Sequence, residues 1–143
     1  MGLLLTWILS ATALAFDPLE GLSQKEICSA DELLLMRYSF ETIQRDFKLL
    51  CCTAEGLGET DDRCMMDWPF NDVPSCKAYD VMRNRIFARY GYAFQSEEWS
   101  RYFASVPWYK ARSDYSEQWV SETAKQNAVT LKKFATEKTG CMD

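Results

Sequence analysis

The sequence predicts a small all-α domain of about four helices, stabilised by disulfide bonds and containing an irregular, cross-linked connector. Apolar residues recur at three- and four-residue steps in several segments, whereas no segment alternates as a half-buried strand does. Of the 143 residues, 48% are apolar, which is enough for one buried core. The chain also contains six cysteines, so cross-links can supplement that core.

The first helix is predicted over residues 29–52. Ser29 is followed three residues later by Glu32, the spacing of a capping box. Apolar residues then return along one helical face, namely Leu33, Met36, Phe40, Ile43, Phe47 and Leu50. Two glycines and two prolines interrupt residues 53–74, which are therefore predicted to form the irregular connector.

Three further helices are predicted in the C-terminal half. One covers residues 75–91 and ends on a glycine, the residue that most easily adopts the left-handed conformation of a helix stop. A short helix follows over residues 96–107, between a serine cap and a proline. The last covers residues 116–138 and carries Asn127 on its apolar face.

The N-terminal residues 1–15 are predicted to be a secretory signal peptide. They form an apolar run that ends on Ala13-Leu14-Ala15, the small-x-small pattern that signal peptidases accept. The run is too short to cross a bilayer comfortably, and no second apolar stretch follows it. We therefore expect a secreted or periplasmic protein with no transmembrane segment after cleavage. The alternative is a buried N-terminal helix.

Behind an export signal, the cysteines predict disulfide bonds rather than a metal site. They are Cys28, Cys51, Cys52, Cys64, Cys76 and Cys141. Six cysteines allow fifteen pairings, and the sequence alone does not choose among them. The neighbours Cys51 and Cys52 are expected to reach different partners. Because Cys28 and Cys51 lie at opposite ends of the first predicted helix, they are not expected to pair.

Two blocks in the C-terminal half resemble a known family. Residues 83–94 read Arg-Asn-Arg-Ile-Phe-Ala-Arg-Tyr-Gly-Tyr-Ala-Phe, and residues 107–109 read Pro-Trp-Tyr. The residues of these two blocks, and their order along the chain, resemble the motifs of the YARHG domain of exported bacterial proteins. The Tyr102-Phe103 pair and the final predicted helix also resemble segments of that domain. The motif positions are Arg83, Asn84, Phe87, Ala88, Arg89, Tyr90 and Gly91.

The resemblance covers about residues 76–138 and implies an extracellular or periplasmic location. It implies no activity, because the family is biochemically uncharacterised. Tyr90 stands where the family has its histidine, so a role that needs an imidazole is not expected here. The chain then divides into a signal peptide (1–15), an N-terminal helix with a cysteine-containing connector (16–75), and the YARHG-like domain.

Charge and composition exclude several functions. The net charge of −5 argues against nucleic-acid partners, which need a basic face. The chain contains no histidine, which excludes Ser-His-Asp and Cys-His nucleophile systems and removes the commonest zinc ligand. We therefore predict no catalytic residue, no cofactor and no metal.

The arginines of the motif are expected to be structural. Arg83 and Arg89 border the apolar stripe of their helix, where they can pair with carboxylates at positions 80, 97 or 98. The alternative is an anion site formed with Arg85.

The function predicted is that of a non-catalytic binding module of the bacterial cell envelope, with a glycan or a protein as partner. Aromatic residues in a loop after a proline are expected to be partly exposed, so the predicted binding residues are Trp108, Tyr109, Arg89 and Tyr92. Two alternatives remain. One is a small hydrolase of envelope polysaccharide that uses a carboxylate pair. The other is an envelope structural or stress protein without a small ligand.

Overall fold

The computed structural model describes residues 15–53, 56–58, 60–65 and 76–137. These residues form seven α-helices, a 3-10 turn and no β-strand, which confirms the all-α prediction. The helices are α1 (Gln24–Cys28), α2 (Asp31–Arg37), α3 (Phe40–Cys51), α4 (Asp62–Met65), α5 (Cys76–Arg89), α6 (Glu97–Ala104) and α7 (Glu122–Glu137). No helix in these ranges is long and apolar enough to cross a membrane. The predicted signal peptide up to residue 14, Cys141 and the side chain of Cys76 lie outside the description.

One hydrophobic core joins the two halves of the chain. Helix α7 packs along α5, and α2 packs against both. The ring of Tyr79, near the start of α5, lies 5.8 Å from that of Phe134, near the end of α7. At the other end, the hydroxyl of Tyr90 accepts a hydrogen bond from the backbone N–H of Ser121. Helices α5 and α7 are therefore antiparallel.

The single helix predicted over residues 29–52 is wrong, because this range contains two helices, α2 and α3, and a third helix, α1, precedes it. Ser29 ends α1 instead of capping the next helix, and the capping box is formed between Ser23 and Glu26. A second break occurs at Tyr38, whose backbone is extended (φ −123°, ψ 149°). Ser39 then caps α3 by accepting the backbone N–H of Thr42. Ser23 and Ser39, which cap α1 and α3, cannot be identified from the apolar periodicity of the sequence.

A buried amide from α7 holds the second break. The Nδ2 of Asn127 donates to the carbonyls of Leu35 and Tyr38 at 2.6 and 2.8 Å, and its Oδ1 accepts the N–H of Phe40 at 3.0 Å. Asn127 is only 3% exposed. Buried backbone groups that make no helical hydrogen bond need other partners, and the side chain of Asn127 forms hydrogen bonds with three of them.

The break also reverses an expectation about the disulfides. Helices α1 to α3 fold back on themselves, so that Cys28 and Cys51 come within 5.5 Å between Cα atoms and form a disulfide. The expectation that these two do not pair is wrong, because it assumed one continuous helix between them. Cys52 pairs with Cys64, which ties the connector to the end of α3. Cys51 and Cys52 thus reach different partners, as predicted.

We expect a third disulfide between Cys76 and Cys141. The other four cysteines are paired, and the antiparallel packing brings the start of α5 to the end of the molecule where α7 finishes. Peptide mapping without reduction should yield three cross-linked peptides, including Cys28–Cys51 and Cys52–Cys64. A free thiol at either remaining cysteine would contradict the pairing. Each bridge should stabilise the fold by about 2–4 kcal/mol.

The last predicted helix, over residues 116–138, is interrupted near its start. A 3-10 turn covers Glu117–Trp119, and Val120 leaves it in an extended conformation. Ser121 then accepts the N–H of Ala124 and begins α7. Ser96 caps α6 and Gly91 follows α5 with a φ of +86°, as predicted, whereas α6 ends at Ala104, before the predicted end at Pro107.

Candidate functional site

The motif helix α5 ends where the sequence predicts, and the chain then returns along its side. At a φ of +86°, Gly91 takes a conformation that side chains disfavour, and a Cβ there would also overlap the side chain of Arg112. The carbonyl of Gly91 accepts the N–H of Arg112 at 2.8 Å. The glycine therefore allows residues 92–119, which we call the return segment, to pass directly against the end of the helix.

Tyr90, at the position of the family's histidine, has a structural role. It is 2% exposed, and its hydroxyl accepts the N–H of Ser121 at 3.3 Å. This contact satisfies a backbone donor just before α7. An acceptor atom is sufficient for that task, so the contact does not depend on an imidazole.

Two arginines of α5, Arg85 and the motif residue Arg89, bind a carboxylate that the sequence did not identify as their partner. Arg89 donates to Oε1 of Glu32 through Nε at 3.1 Å and Nη2 at 2.8 Å. Arg85 donates to the same carboxylate at 3.3 and 3.4 Å, and to the hydroxyl of Tyr102 at 3.2 Å. The expected pairing of Arg89 with a carboxylate at position 80, 97 or 98 is wrong, since the Glu97 and Glu98 carboxylates pair with Arg101 and Lys77.

The carboxylate of Glu32 is held in its ionised form. Burial raises the pKa of this carboxyl, but the hydrogen bond from Arg89 and the charge of Arg85 outweigh burial and hold the pKa below its usual 4.5. The side chain of Glu32 is 3% exposed. In the sequence it resembles an ordinary acid in a first helical turn, and only the packing of α2 on α5 reveals its role.

The structure joins the predicted binding residues in two pairs. The guanidinium of Arg89 lies over the ring of Trp108, 3.6 Å from the ring centroid. The hydroxyl of Tyr109 donates to the backbone carbonyl of Tyr92 at 2.6 Å. An open pocket of about 620 Å³ adjoins Trp108 and Arg89 and is lined on its other side by Phe16 and its neighbours. Arg89 donates two of its five N–H groups to Glu32, so its charge is already balanced by that carboxylate.

A second concave surface lies on the other side of α5, and we call it the motif groove. Asp80, Arg83, Asn84 and Phe87 line it at a spacing of i, i+3, i+4 and i+7, one face of a helix. Arg83 and Arg85 are about 200° apart around the helix, so the motif presents arginines on two sides. The groove has a volume of about 460 Å³, and its facing wall consists of Tyr92, Phe94, Gln95, Ser96, Trp99, Tyr115 and Glu117.

The aromatic wall of the motif groove is held in place by ring contacts. Tyr92 packs edge-on against Phe94 at 4.9 Å and against Tyr115 at 5.2 Å. Phe94 stacks on the fully buried Phe103 at 4.4 Å. Trp99 also packs on Phe103, with centroids 6.3 Å apart. The rings are therefore fixed before any ligand arrives, which lowers the entropic cost of binding.

Several polar groups of the groove have no partner within the described residues. Asn84 is 8% exposed, and its Oδ1 accepts a hydrogen bond from Arg83 at 3.2 Å. Its Nδ2 makes no hydrogen bond to any described residue and is not fully buried. The carboxylates of Asp80 and Glu117 also make no ion pair or hydrogen bond in this part of the chain. The groove thus offers the Nδ2 of Asn84 as a donor and the carboxylates of Asp80 and Glu117 as acceptors beside its aromatic rings.

Tyr115 contributes a hydroxyl that stays protonated. Burial, together with the charge of Glu117 and the neighbouring Tyr92 and Tyr90, raises the pKa of Tyr115 to about 12. At neutral pH its ring therefore remains uncharged. Sequence reasoning missed Tyr115 and Glu117, since both come from the return segment and no periodicity links them to α5.

A further cavity, of about 560 Å³, contains the adjacent carboxylates of Asp31 and Glu32. Burial raises the pKa of Asp31 above its usual 3.8, and Arg63, at 3.3 Å, offsets this only in part. Both carboxylates are bound to arginines, as in a structural ion-pair network. The arrangement therefore gives no specific support to a carboxylate-dependent hydrolase.

Comparison with known families gives one match. The model of the YARHG domain matches residues 69–136, which confirms the resemblance inferred from the motif. The family is one of exported domains, and the two disulfides are typical of an oxidising extracellular environment. Searches of the curated proteins and of the solved structures give no match.

Proposed function

We propose that this protein, whose residues 69–136 match the model of the YARHG domain, is an exported binding module of the bacterial cell envelope and that it holds glycan, without catalysis, in the motif groove. The observation that carries the proposal is the combination, in one groove, of fixed aromatic rings with polar groups that the fold leaves unused. A groove of about 460 Å³ is large enough for a small ligand or for part of a chain.

The chemistry of the groove suits a sugar. A pyranose ring has an apolar face that can lie on an aromatic ring, and hydroxyls that both donate and accept hydrogen bonds. The Nδ2 of Asn84 can donate to a hydroxyl, while the carboxylates of Asp80 and Glu117 can accept from one. A hydrogen bond from a ligand to the nearly buried amide of Asn84 is favourable, because this amide otherwise lacks a hydrogen-bond acceptor for its Nδ2.

The location proposed for the mature protein is the periplasm or the cell surface. Support comes from the apolar N-terminal run that ends on Ala13-Leu14-Ala15 and from the two disulfide bonds. The exported character of the YARHG family agrees with this location.

The binding residues predicted from the sequence divide between two surfaces. Tyr92 belongs to the motif groove, and Tyr109 supports it from behind through the carbonyl of Tyr92. Trp108 and Arg89 lie on the other side of α5, where the arginine is bound to Glu32. We therefore place the glycan site at Tyr92 and its neighbours and treat Trp108 as the competing location.

A sedimentation assay with purified sacculi tests the proposal. Wild-type protein should co-sediment, and Trp99→Ala should lower retention about tenfold because it removes a groove ring. Asn84→Asp, which keeps the acceptor for Arg83 but removes the Nδ2 donor, should also lower it. The matched control is Trp108→Ala, which removes a tryptophan outside the groove and should retain wild-type binding. Circular dichroism should confirm that all variants are folded.

Three outcomes would count against the proposal. Loss of retention in Trp108→Ala alone would move the site to the Arg89 side of α5. No retention of any variant would favour a structural protein without a small ligand. Release of soluble reducing sugar during long incubation would favour the hydrolase.

A further inference from the structure

We infer that the motif groove prefers a glycan with free amino groups, so that an ammonium on the sugar pairs with the carboxylates of Asp80 and Glu117. This inference rests on the proposed function, since it names the ligand class for the same groove.

The charges that face the groove are unbalanced. Asp80 and Glu117 contribute two carboxylates without a partner among the described residues. Arg83 contributes the only cation that lines the groove within those residues, and its guanidinium is engaged by the Oδ1 of Asn84 and lies 5.3 Å from the ring centroid of Phe87. The two carboxylates outnumber the one guanidinium, so a ligand that brings a positive charge would balance the groove, whereas an anionic ligand would add to its negative excess.

Neighbouring charges do not alter this balance. Lys77 lies over the ring of Trp99 at 4.7 Å, and its ammonium is paired with Glu98. Glu97, at the start of α6, is paired with Arg101. These four side chains neutralise one another in pairs, so the charge of the groove is set by Asp80, Glu117 and Arg83, with one negative charge in excess.

The rings of the wall add a second attraction for an ammonium group. A cation within about 6 Å of an aromatic face is attracted by the ring, and more so when water is displaced. Tyr92 and Tyr115 pack edge-on, so that different faces are presented along the wall. Burial and the charge of Glu117 keep the phenol of Tyr115 protonated, with a pKa of about 12. A neutral sugar gains the stacking contact but not this electrostatic one.

Among glycans, the chemistry points to a deacetylated amino sugar. Removal of an acetyl group from an N-acetylglucosamine unit exposes a primary amine, which is protonated at mildly acidic pH. The rest of the ring, including its apolar face and its hydroxyls, is unchanged. Asn84 can still donate to a hydroxyl while the ammonium meets a carboxylate.

Two soluble tetrasaccharides differ in this group alone: tetra-N-acetylchitotetraose and its fully deacetylated form. In calorimetric titrations at pH 6 and low salt, we expect the deacetylated tetramer to bind at least about tenfold more tightly. Asp80→Asn and Glu117→Gln should each reduce that preference severalfold, and raising the salt concentration should do the same. Glu41→Gln, an exposed carboxylate on α3 outside the groove, should leave the preference unchanged.

The outcomes separate the two claims. Equal affinity for the tetramers, with binding lost in Trp99→Ala, would overturn the charge preference and leave the glycan site in place. A preference that survives in both Asp80→Asn and Glu117→Gln would also overturn it. If neither tetramer binds while sacculi still retain the protein through Trp99, the inference fails and the proposed function stands.

Discussion

Replacing Asn127 with alanine should lower the free energy of unfolding by about 3 kcal/mol, one of the two largest effects expected of a single substitution here. Its side chain serves the carbonyls of Leu35 and Tyr38 and the N–H of Phe40 at the break between α2 and α3. Each polar group that loses its partner inside a protein costs about 1–3 kcal/mol, with part regained by relaxation or water entry. Asn127→Asp should cost at least as much, because it places a charge beside two carbonyl oxygens.

Urea denaturation of the oxidised protein measures this loss. Gln126→Ala is the matched control, since Gln126 precedes Asn127 on α7 but its side chain is exposed, and its effect should stay within about 0.5 kcal/mol. Amide exchange at Phe40 should also become faster in Asn127→Ala. A variant whose stability lies within about 1 kcal/mol of wild type would mean that the break is held by something other than this amide.

The second large effect is expected at Glu32. Replacing it with alanine should cost about 3 kcal/mol, because Arg85 and Arg89 lose their shared counter-charge at the contact between α2 and α5. Breaking a buried ion pair costs about 3–5 kcal/mol, and the two arginine side chains, 28% and 20% exposed, regain part of this from water. Glu41→Ala, on the exposed side of α3, is the control and should change little.

Glu32 also predicts a pH dependence. Its pKa is below 4.5 in the folded protein and returns to about 4.5 on unfolding, so its contribution is fully present above about pH 4.5. The contribution is lost as the pH falls through the lower folded value. The raised pKa of Asp31 acts in the opposite direction, because acid relieves the cost of its burial. The stability difference between wild type and Glu32→Gln should therefore shrink below pH 4.5. A constant difference from pH 7 to pH 3 would contradict the role of Glu32.

The sequence predicts those parts of the fold that local chemistry determines. The stop at Gly91 and the cap at Ser96 depend on neighbouring residues alone, and both are confirmed. The break at Tyr38 could not be predicted, because apolar residues on both sides keep the helical periodicity. Its stabilising partner, Asn127, comes from a helix almost ninety residues later. The disulfide between Cys28 and Cys51 depends on that break, so the sequence could not predict it either.

The candidate site was only partly predictable. Arg83, Arg85 and Arg89 lie close together in sequence, but successive residues are about 100° apart on a helix, and the apolar pattern does not say which arginine faces another element. In the structure Arg85 and Arg89 bind Glu32 from α2, whereas Arg83 lines the motif groove. The facing wall comes from a return segment without periodicity. Tyr92 was identified from its aromatic character, but Tyr115 was not.

In the function that we propose, one side of the motif helix α5 is structural and the other side binds glycan. The most direct test of this division is a ¹H–¹⁵N correlation spectrum during titration with the deacetylated chitotetraose, in which each tryptophan indole N–H gives its own signal. We expect the indole of Trp99 and the backbone amides of Asn84 and Tyr92 to shift, while the indoles of Trp108 and Trp119 stay in place. Shifts confined to Trp108 and Arg89, with the groove signals unchanged, would contradict the account.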